Sequence, residues 1–143
     1  MPVTLLPSFL GVGLSYPMRL DATLARLQGA SGELLVKQSI DQIINTDIDE
    51  RPFLVKNGVP FGTRTRRTLF DSVSAARDVI QYDVKRALDT WEPRIVTDLV
   101  DAQEVNQNNM HGLIVTISYR YRSTNRADNY VIPYIISSSG KGI

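Results

Sequence analysis

Apolar residues recur with two different periods along this chain, and the change of period separates a helical part from a sheet. The first helical pattern places apolar side chains on one face of a helix at Val36, Ile40, Ile43 and Ile44. Ser31 stands where a helix N-cap is needed. We therefore predict an amphipathic helix that begins just after this serine.

A second and longer helical pattern follows a connection rich in glycine, proline and arginine. Its apolar positions are separated by steps of mostly three and four residues: Leu69, Val73, Ala76, Ile80, Val84, Ala87, Leu88 and Trp91. Asp71 or Ser72 can cap its start, and Pro93 ends it. The charged residues between these positions predict a polar outer face: Arg77, Asp78, Asp83, Lys85, Arg86 and Asp89. In the preceding connection, the apolar residues are expected to contact the core: Phe53, Val55, Val59 and Phe61.

The last third of the chain changes to the period of two that is typical of strands. Residues 95–100 form a compact β-branched segment, and residues 113–121 and 130–136 alternate apolar with polar side chains. Short connections favour an antiparallel meander. The predicted fold class is α+β, with two main amphipathic helices packed on a C-terminal three-stranded antiparallel meander and an irregular N-terminal segment.

The length of the chain is typical of a single domain that can bury one core. We assign residues 1–32 to the irregular segment, 33–91 to the helical part, 94–136 to the sheet and 137–143 to a tail. No apolar run approaches the ~18 residues of a membrane span, and the start lacks the basic region of a signal peptide. We expect a protein of the producing cell's cytoplasm that contacts no membrane.

The composition removes several kinds of chemistry. The chain has no cysteine and one histidine, His111, which follows a polar stretch and is expected in a loop. We therefore expect no cofactor, no metal site and no histidine-based catalytic triad. The net charge of +1 argues against nucleic acid as a partner. Among the cations, 12 are arginine and 4 are lysine, a bias that favours contacts with proteins.

Two charged clusters have more than one interpretation. The acidic cluster Asp47, Asp49 and Glu50 is interpreted as a solvated helix end rather than a metal site. The basic cluster Arg64, Arg66 and Arg67 is interpreted as a solvated face or a protein contact rather than a phosphate site.

The segment Trp91-Glu92-Pro93-Arg94 lies between the second helix and the first strand. Because a proline restricts its own φ and the residue before it, Glu92 and Arg94 project from a stiff corner. Such a pair can bind a partner protein, or it can form an internal salt bridge that contributes only ~0–1 kcal/mol if it is exposed. Both roles can coexist.

Pro133 lies inside the third strand and therefore predicts an edge strand. An edge strand has unpaired N–H and C=O groups, to which an incoming strand can add through main-chain hydrogen bonds.

The order of short motifs along the chain resembles the small baseplate wedge protein of contractile phage tails, the sheath initiator, a family that also supplies the E component of type VI secretion baseplates. The matching residues span Gly11 to Tyr134: Gly11-x-Gly13, Tyr16-Pro17, Gln38-Ser39-Ile40, Thr46, Glu50-Arg51, Phe61-Gly62, Leu69-Phe70, Trp91-Glu92-Pro93-Arg94-Ile95, Tyr119, Thr124-Asn125 and Pro133-Tyr134. Family members usually have a glycine where this chain has Asp49.

The resemblance implies a structural, non-enzymatic role in the baseplate of the virion, after assembly in the host cytoplasm. It implies six copies that bind wedge proteins, tail sheath subunits and, further, tube or hub proteins. It implies wedge docking through Glu92, Pro93 and Arg94. The predicted strand-addition site is the third strand, Tyr130, Val131, Ile132, Pro133, Tyr134 and Ile135.

The alternative is a glycoside hydrolase that acts on the cell wall, with Glu92 as general acid and Asp98 or Asp101 as its partner. Arg94 argues against it, because a nearby cation favours the ionised carboxylate over the protonated form that a general acid needs.

Overall fold

The computed structural model of the chain describes residues 10–68, 73–108 and 110–137. The apolar position Leu69, the N-cap candidates Asp71 and Ser72, and residues 138–143 of the predicted tail lie outside these ranges. The helices are α1 (Gly32–Asn45), α2 (Thr65–Thr68) and α3 (Val73–Trp91). The strands are β1 (Val12–Leu14), β2 (Leu20–Asp21), β3 (Arg26–Leu27), β4 (Gly29–Ser31), β5 (Val55–Lys56), β6 (Val59–Pro60), β7 (Ile95–Gln107), β8 (Met110–Tyr121) and β9 (Ala127–Ser137).

The predicted fold class is confirmed. Strands β7, β8 and β9 form an antiparallel sheet in that order, and helices α1 and α3 contribute the other half of the core. The fully buried apolar side chains come from both helices and from the alternating positions of the sheet: Val36, Ile40, Ile43, Ile44, Ile80, Val84, Leu88, Ile95, Leu113, Val115, Ile117, Tyr119 and Tyr121. Residues 10–31 form two short two-stranded ribbons, β1 with β4 and β2 with β3.

Helix α1 begins one residue after Ser31, as the pattern predicts. Ser31 has the extended backbone of an N-cap residue, but its side chain makes no capping hydrogen bond. Glu33 in the first turn instead pairs with Arg126 across to the sheet. The start of α1 is therefore held by a tertiary contact rather than by the predicted cap.

Helix α1 is joined to strand β9, and to the residue just before it, by a row of three polar contacts. Four residues of helix rise about 6 Å, and two residues of strand rise about 6.7 Å, so the two spacings stay in step. The contacts are Glu33 with Arg126, Lys37 with Asp128 at 3.3 Å, and Asp41 with the Tyr130 hydroxyl at 3.0 Å. Burial would raise the pKa of Asp128, but its hydrogen bonds outweigh burial and lower it.

The β7–β8 hairpin is longer than predicted. His111 pairs with Asn106 inside this hairpin, so its predicted place in a loop is wrong. The stretch is polar because the hairpin continues past the core, where Asn106, Gln107, Asn108 and His111 are exposed. The hairpin turn includes Asn108, which has a φ of 52°, a value that asparagine tolerates better than most residues.

The predicted anchoring of the connection is wrong for two of its four apolar residues. Phe53 is 96% exposed and Val55 is also exposed, at the β5–β6 hairpin. Phe61 does contact the core, and its ring meets that of Trp91 edge-on at 5.1 Å. The β5–β6 hairpin turns at Asn57 and Gly58, which have φ of 52° and 75°. An Asn-Gly pair was a usable sequence signal for this turn.

Candidate protein-docking site

The corner after helix α3 contains a buried carboxylate held by one arginine. The Glu92 backbone N–H donates to the Leu88 carbonyl at 2.9 Å, so the residue extends the last helical turn. Its side chain is 1% exposed. Arg94 donates from Nε to Oε1 and from Nη2 to Oε2 of Glu92, both at 2.6 Å. This is the two-point geometry that suits a guanidinium to a carboxylate.

The third nitrogen of this guanidinium reaches the N-terminal segment. Arg94 Nη1 donates to the Leu10 carbonyl at 2.8 Å, and the Arg94 carbonyl accepts from the Arg122 backbone N–H at 3.0 Å. The hydrogen bond to Glu92 raises the pKa of Arg94. Through its side chain and its backbone carbonyl, Arg94 therefore joins the end of α3, the beginning of the sheet and a residue 84 positions earlier in the chain.

The internal salt bridge predicted for this pair is present, and its carboxylate is buried rather than exposed. Removing one member of a buried pair costs about 3–5 kcal/mol because the other charge loses its partner. Pro93 is exposed, and the Arg94 side chain is 28% exposed. The surface that a partner can touch is thus Pro93 with the outer side of Arg94, and the Glu92 carboxylate lies behind it.

The aromatic residue beside the corner packs within the protein. Trp91 Nε1 donates to the Pro60 carbonyl at 3.2 Å, and Phe61 covers one edge of the indole. The Arg51 guanidinium lies 5.4 Å from the Phe61 ring centre, within the range of a cation–π contact. Trp91, Phe61 and Arg51 therefore form one cluster beside the corner.

The backbone next to this cluster requires a glycine at position 62. Its φ is 109°, and a Cβ at this position would collide with the backbone carbonyl of Thr46. The same carbonyl accepts a hydrogen bond from the Thr63 N–H at 2.9 Å. Only glycine permits the connection to pass this close to the end of α1.

Strand β9 is an edge of the sheet, as Pro133 predicts. Val131 and Pro133 are exposed, whereas Ile132 is buried. Tyr130 and Tyr134 pack against the core on the same face of β9 as Ile132, and burial raises the pKa of each to about 12.

Most other charged candidates are paired within the protein. Arg64 binds the carboxylate of Asp83 with two nitrogens, at 2.8 and 2.9 Å. Arg67 binds both Asp47 and Asp49, and its hydrogen bond lowers the pKa of Asp47. Arg64, Arg67 and Asp49 stay exposed, as the predicted solvated face and helix end require, and each also has an internal ion partner. Asp47 is more buried, with its side chain 15% exposed.

Asp83 is the buried residue that sequence reasoning missed. It was assigned to the polar face of α3, but its side chain is 2% exposed. Its spacing was a usable signal, because it follows Ala76 by seven residues and precedes Ala87 by four on the apolar face. A charge on that face requires a partner, and Arg64 supplies it.

Within the described ranges, no group of three or more metal-ligating side chains comes together. Among the same residues, no helix is both long and apolar enough to span a membrane.

Comparison with known proteins places this corner and its surroundings in a family. The sequence matches the family model of the baseplate wedge protein gp25 over residues 30–126. The crystal structure of a candidate tail lysozyme from Geobacter sulfurreducens is 30% identical, with a TM-score of 0.59, over 78% of this chain and 96% of that chain. A chain of the anti-feeding prophage baseplate, seen by cryo-electron microscopy with six-fold symmetry applied, is 17% identical with a TM-score of 0.59, over 87% of this chain and 85% of that chain. The latter likeness shows the fold alone. No match was found among curated proteins.

The matched residues make up more than half of the chain and include α1, α3, the Glu92–Arg94 corner and the β7–β8 hairpin. The chain therefore belongs to the family of the baseplate wedge protein gp25, a family of structural baseplate components.

Proposed function

We propose that this phage tail baseplate component docks on neighbouring wedge proteins through the corner Glu92, Pro93 and Arg94, and that it initiates the tail sheath by accepting strands at β9. The observation that supports it most is the family match, which covers the whole corner. The partners are wedge proteins, tail sheath subunits and tube or hub proteins, with six copies in each baseplate. The protein is located in the baseplate of the virion and assembles in the host cytoplasm.

The rigidity of the corner supports docking. All three guanidinium nitrogens of Arg94 are bound to Glu92 or Leu10, and Pro93 restricts the backbone between the charged residues. A surface that is already ordered loses little conformational entropy when a partner binds. Pro93 and the outer side of Arg94 thus form a preorganised contact.

The sheet supports strand addition. β9 is hydrogen-bonded to β8 on one side, and its row of contacts with α1 holds it in place from the inner face. An incoming strand would add outside β9, across Tyr130 to Ile135, rather than replace it. The backbone can bind such a strand with little demand on the partner's sequence.

A second candidate function comes from the candidate tail lysozyme, which is 30% identical. The proposed acid Glu92 is buried and bound by Arg94, so a sugar cannot reach its carboxylate. Asp98 is paired with Arg120, and Asp101 accepts a hydrogen bond from Gln103. We therefore propose a role without catalysis. Purified protein should not clear peptidoglycan; clearing that disappears in Glu92→Gln would establish the lysozyme activity instead.

The docking role is tested by assembly of baseplates that contain Arg94→Ala. Because this change also destabilises the fold, the matched control is Leu88→Ala, which leaves the corner residues unchanged and costs a similar ~2–5 kcal/mol. Arg94→Ala should be excluded from baseplates while Leu88→Ala is incorporated. Normal incorporation of Arg94→Ala would contradict docking at the corner.

The strand-addition role is tested with lysine substitutions on the two edge strands. Val131 on β9 and Leu99 on β7 are 51% and 59% exposed, and each is part of an edge strand. A lysine on an edge strand discourages pairing. Val131→Lys should allow baseplate incorporation and block sheath growth, whereas Leu99→Lys should permit both. The opposite pattern would assign strand addition to β7.

A further inference from the structure

The N-terminal arm, which we define as residues 10–31, has the densest group of exposed large apolar side chains in the described part of the chain. Seven belong to it: Val12, Leu14, Tyr16, Met18, Leu20, Leu24 and Leu27. Outside the arm, the next largest group is the run of three at residues 53–55. Large exposed apolar patches mark sites of protein or membrane contact.

The arm is fixed to the body of the protein at three places. Arg94 Nη1 donates to the Leu10 carbonyl at 2.8 Å. The Tyr16 N–H donates to Oε1 of Gln38 on α1 at 3.2 Å. A Cβ built on Gly13 would lie 3.3 Å from a methyl carbon of Leu35, also on α1. The side of the β1–β4 ribbon that faces α1 is therefore closely packed.

Two of these apolar side chains lie on the opposite side of this packing, and two others face each other across the neighbouring hairpin. In β1, Val12 and Leu14 are exposed on either side of the inward-facing Gly13, as strand alternation requires. In the next hairpin, Leu20 stands directly opposite Leu27. The two leucines are 76% and 45% exposed.

The β2–β3 hairpin contributes two arginines to the border of this surface, and Asp21 stands across from Arg26 in the pairing. Arg19 and Arg26 are exposed and have no ion pair with any residue that the structure describes. The carboxylate of Asp21 accepts hydrogen bonds from the N–H groups of Thr23 and Leu24. Two free guanidinium groups thus lie beside an apolar surface.

We propose that the outer face of the arm binds an amphipathic helix of a neighbouring baseplate protein, one whose apolar stripe is bordered by carboxylates, and that Arg94 is the positioning residue for this face. This inference rests on the proposed baseplate function. A helix fits because it satisfies its own backbone hydrogen bonds while it buries one apolar stripe. Carboxylates fit because Arg19 and Arg26 bind them in a two-point geometry.

The arm up to residue 29 lies outside the residues matched by the family model, 30–126. The Glu92–Arg94 corner lies inside them. The corner that is shared by the family would then position the arm, and the side chains of the arm would determine which neighbouring baseplate protein binds.

Photo-crosslinking in assembled baseplates tests the occupant. Because the chain has no cysteine, Leu20→Cys gives a single thiol that can carry a benzophenone maleimide, and Phe53→Cys is the exposed control at the other apolar group. Mass spectrometry of the crosslinked peptides should identify, from position 20, a peptide of another baseplate protein with apolar residues at helical spacing and flanking Asp or Glu. The inference is overturned by crosslinks to a second copy of this chain or to a peptide without that pattern. It is also overturned by a yield at position 20 no higher than at position 53.

Two further variants separate this inference from the proposed function. Leu20→Asp with Leu27→Asp keeps the corner intact and should block incorporation, whereas Phe53→Asp with Val55→Asp should not. If the arm variant is incorporated normally while Arg94→Ala is not, the arm inference fails and docking at the corner stands. If neither is impaired, both fail.

The positioning role of Arg94 is tested by hydrogen exchange in the full chain. Arg94→Lys keeps the charge but cannot bind Glu92 and Leu10 together. The arm amides, among them the Tyr16 N–H, should exchange about five-fold faster, the equivalent of about one lost hydrogen bond, with no change in β8. Unchanged exchange in the arm would show that Arg94 does not position it.

Discussion

The buried salt bridge of the corner leads to a stability prediction that an exposed pair would not. Replacing Arg94 by alanine removes the only residue that forms an ion pair with Glu92 among the described residues. The Glu92 side chain is 1% exposed, so water cannot replace the lost arginine without a local opening of the structure. The carboxylate then remains buried with no opposite charge.

The size of the effect follows from this burial. Breaking a buried pair costs about 3–5 kcal/mol, whereas an exposed pair contributes about 0–1 kcal/mol. We expect about 3 kcal/mol for Arg94→Ala, at the lower end of the first range, because the Arg94 side chain keeps 28% exposure. Glu92→Gln leaves a neutral group that still accepts a hydrogen bond, and it should cost about 1–2 kcal/mol. Domains of this kind are stable by about 5–15 kcal/mol, so both variants should fold.

The assay is urea unfolding followed by tryptophan fluorescence. The chain has one tryptophan, and Trp91 adjoins the corner and packs on Phe61. In both variants the urea concentration at the midpoint of unfolding should fall, while the slope of the free energy of unfolding against urea concentration stays constant. That combination indicates a loss of stability rather than a change in the unfolded state. A loss below about 1 kcal/mol for Arg94→Ala would refute the reasoning, because the pair would then behave as if it were exposed.

Three further predictions concern other parts of the fold. Gly62→Ala should lower the free energy of unfolding by at least ~2 kcal/mol, because the new Cβ meets the Thr46 carbonyl at a positive φ; a normal thermal midpoint would contradict this. Arg64→Ala should destabilise more than Asp83→Ala in urea unfolding, because the carboxylate is 2% exposed and the arginine side chain 44%; equal losses would contradict the argument. Burial raises the pKa of Tyr130 from 10.0 to about 12, so the neutral hydroxyl contributes fully to the stability of the fold below pH 10, and this contribution is lost as the pH rises through about 12. The free energy of unfolding should therefore depend less on pH in Tyr130→Phe across this window. An unchanged pH dependence would exclude a contribution from Tyr130.

Much of the architecture could be predicted because hydrophobic periodicity is a local property. The face of α1 at Val36, Ile40 and Ile44 is buried as its spacing requires. The alternation from Leu113 to Tyr121 is likewise buried at every second residue. Burying an apolar face is the main favourable term in folding, so the buried face of an element can be predicted even where the conformation of its connections cannot.

Single residues were predicted less well wherever residue type and spacing disagreed. Asp83 was taken as exposed because it is charged, yet its spacing on α3 places it on the buried face. Phe53 was taken as buried because it is apolar, yet it is 96% exposed. The burial of Asp83 depends on Arg64, which is distant in sequence, whereas the exposure of Phe53 goes with the hairpin that turns at Asn57 and Gly58. Residue type alone reports neither.

The Glu92–Arg94 corner shows where the two kinds of information divide. Its stiffness, its place between a helix and a strand, and its likeness to a family could be predicted from the chain, because these depend on neighbouring residues and on their order. The burial of the carboxylate and the hydrogen bond from Arg94 Nη1 to the Leu10 carbonyl became visible only in the folded protein. Burial and that contact depend on segments 84 residues apart meeting in space, and no local rule specifies such a meeting.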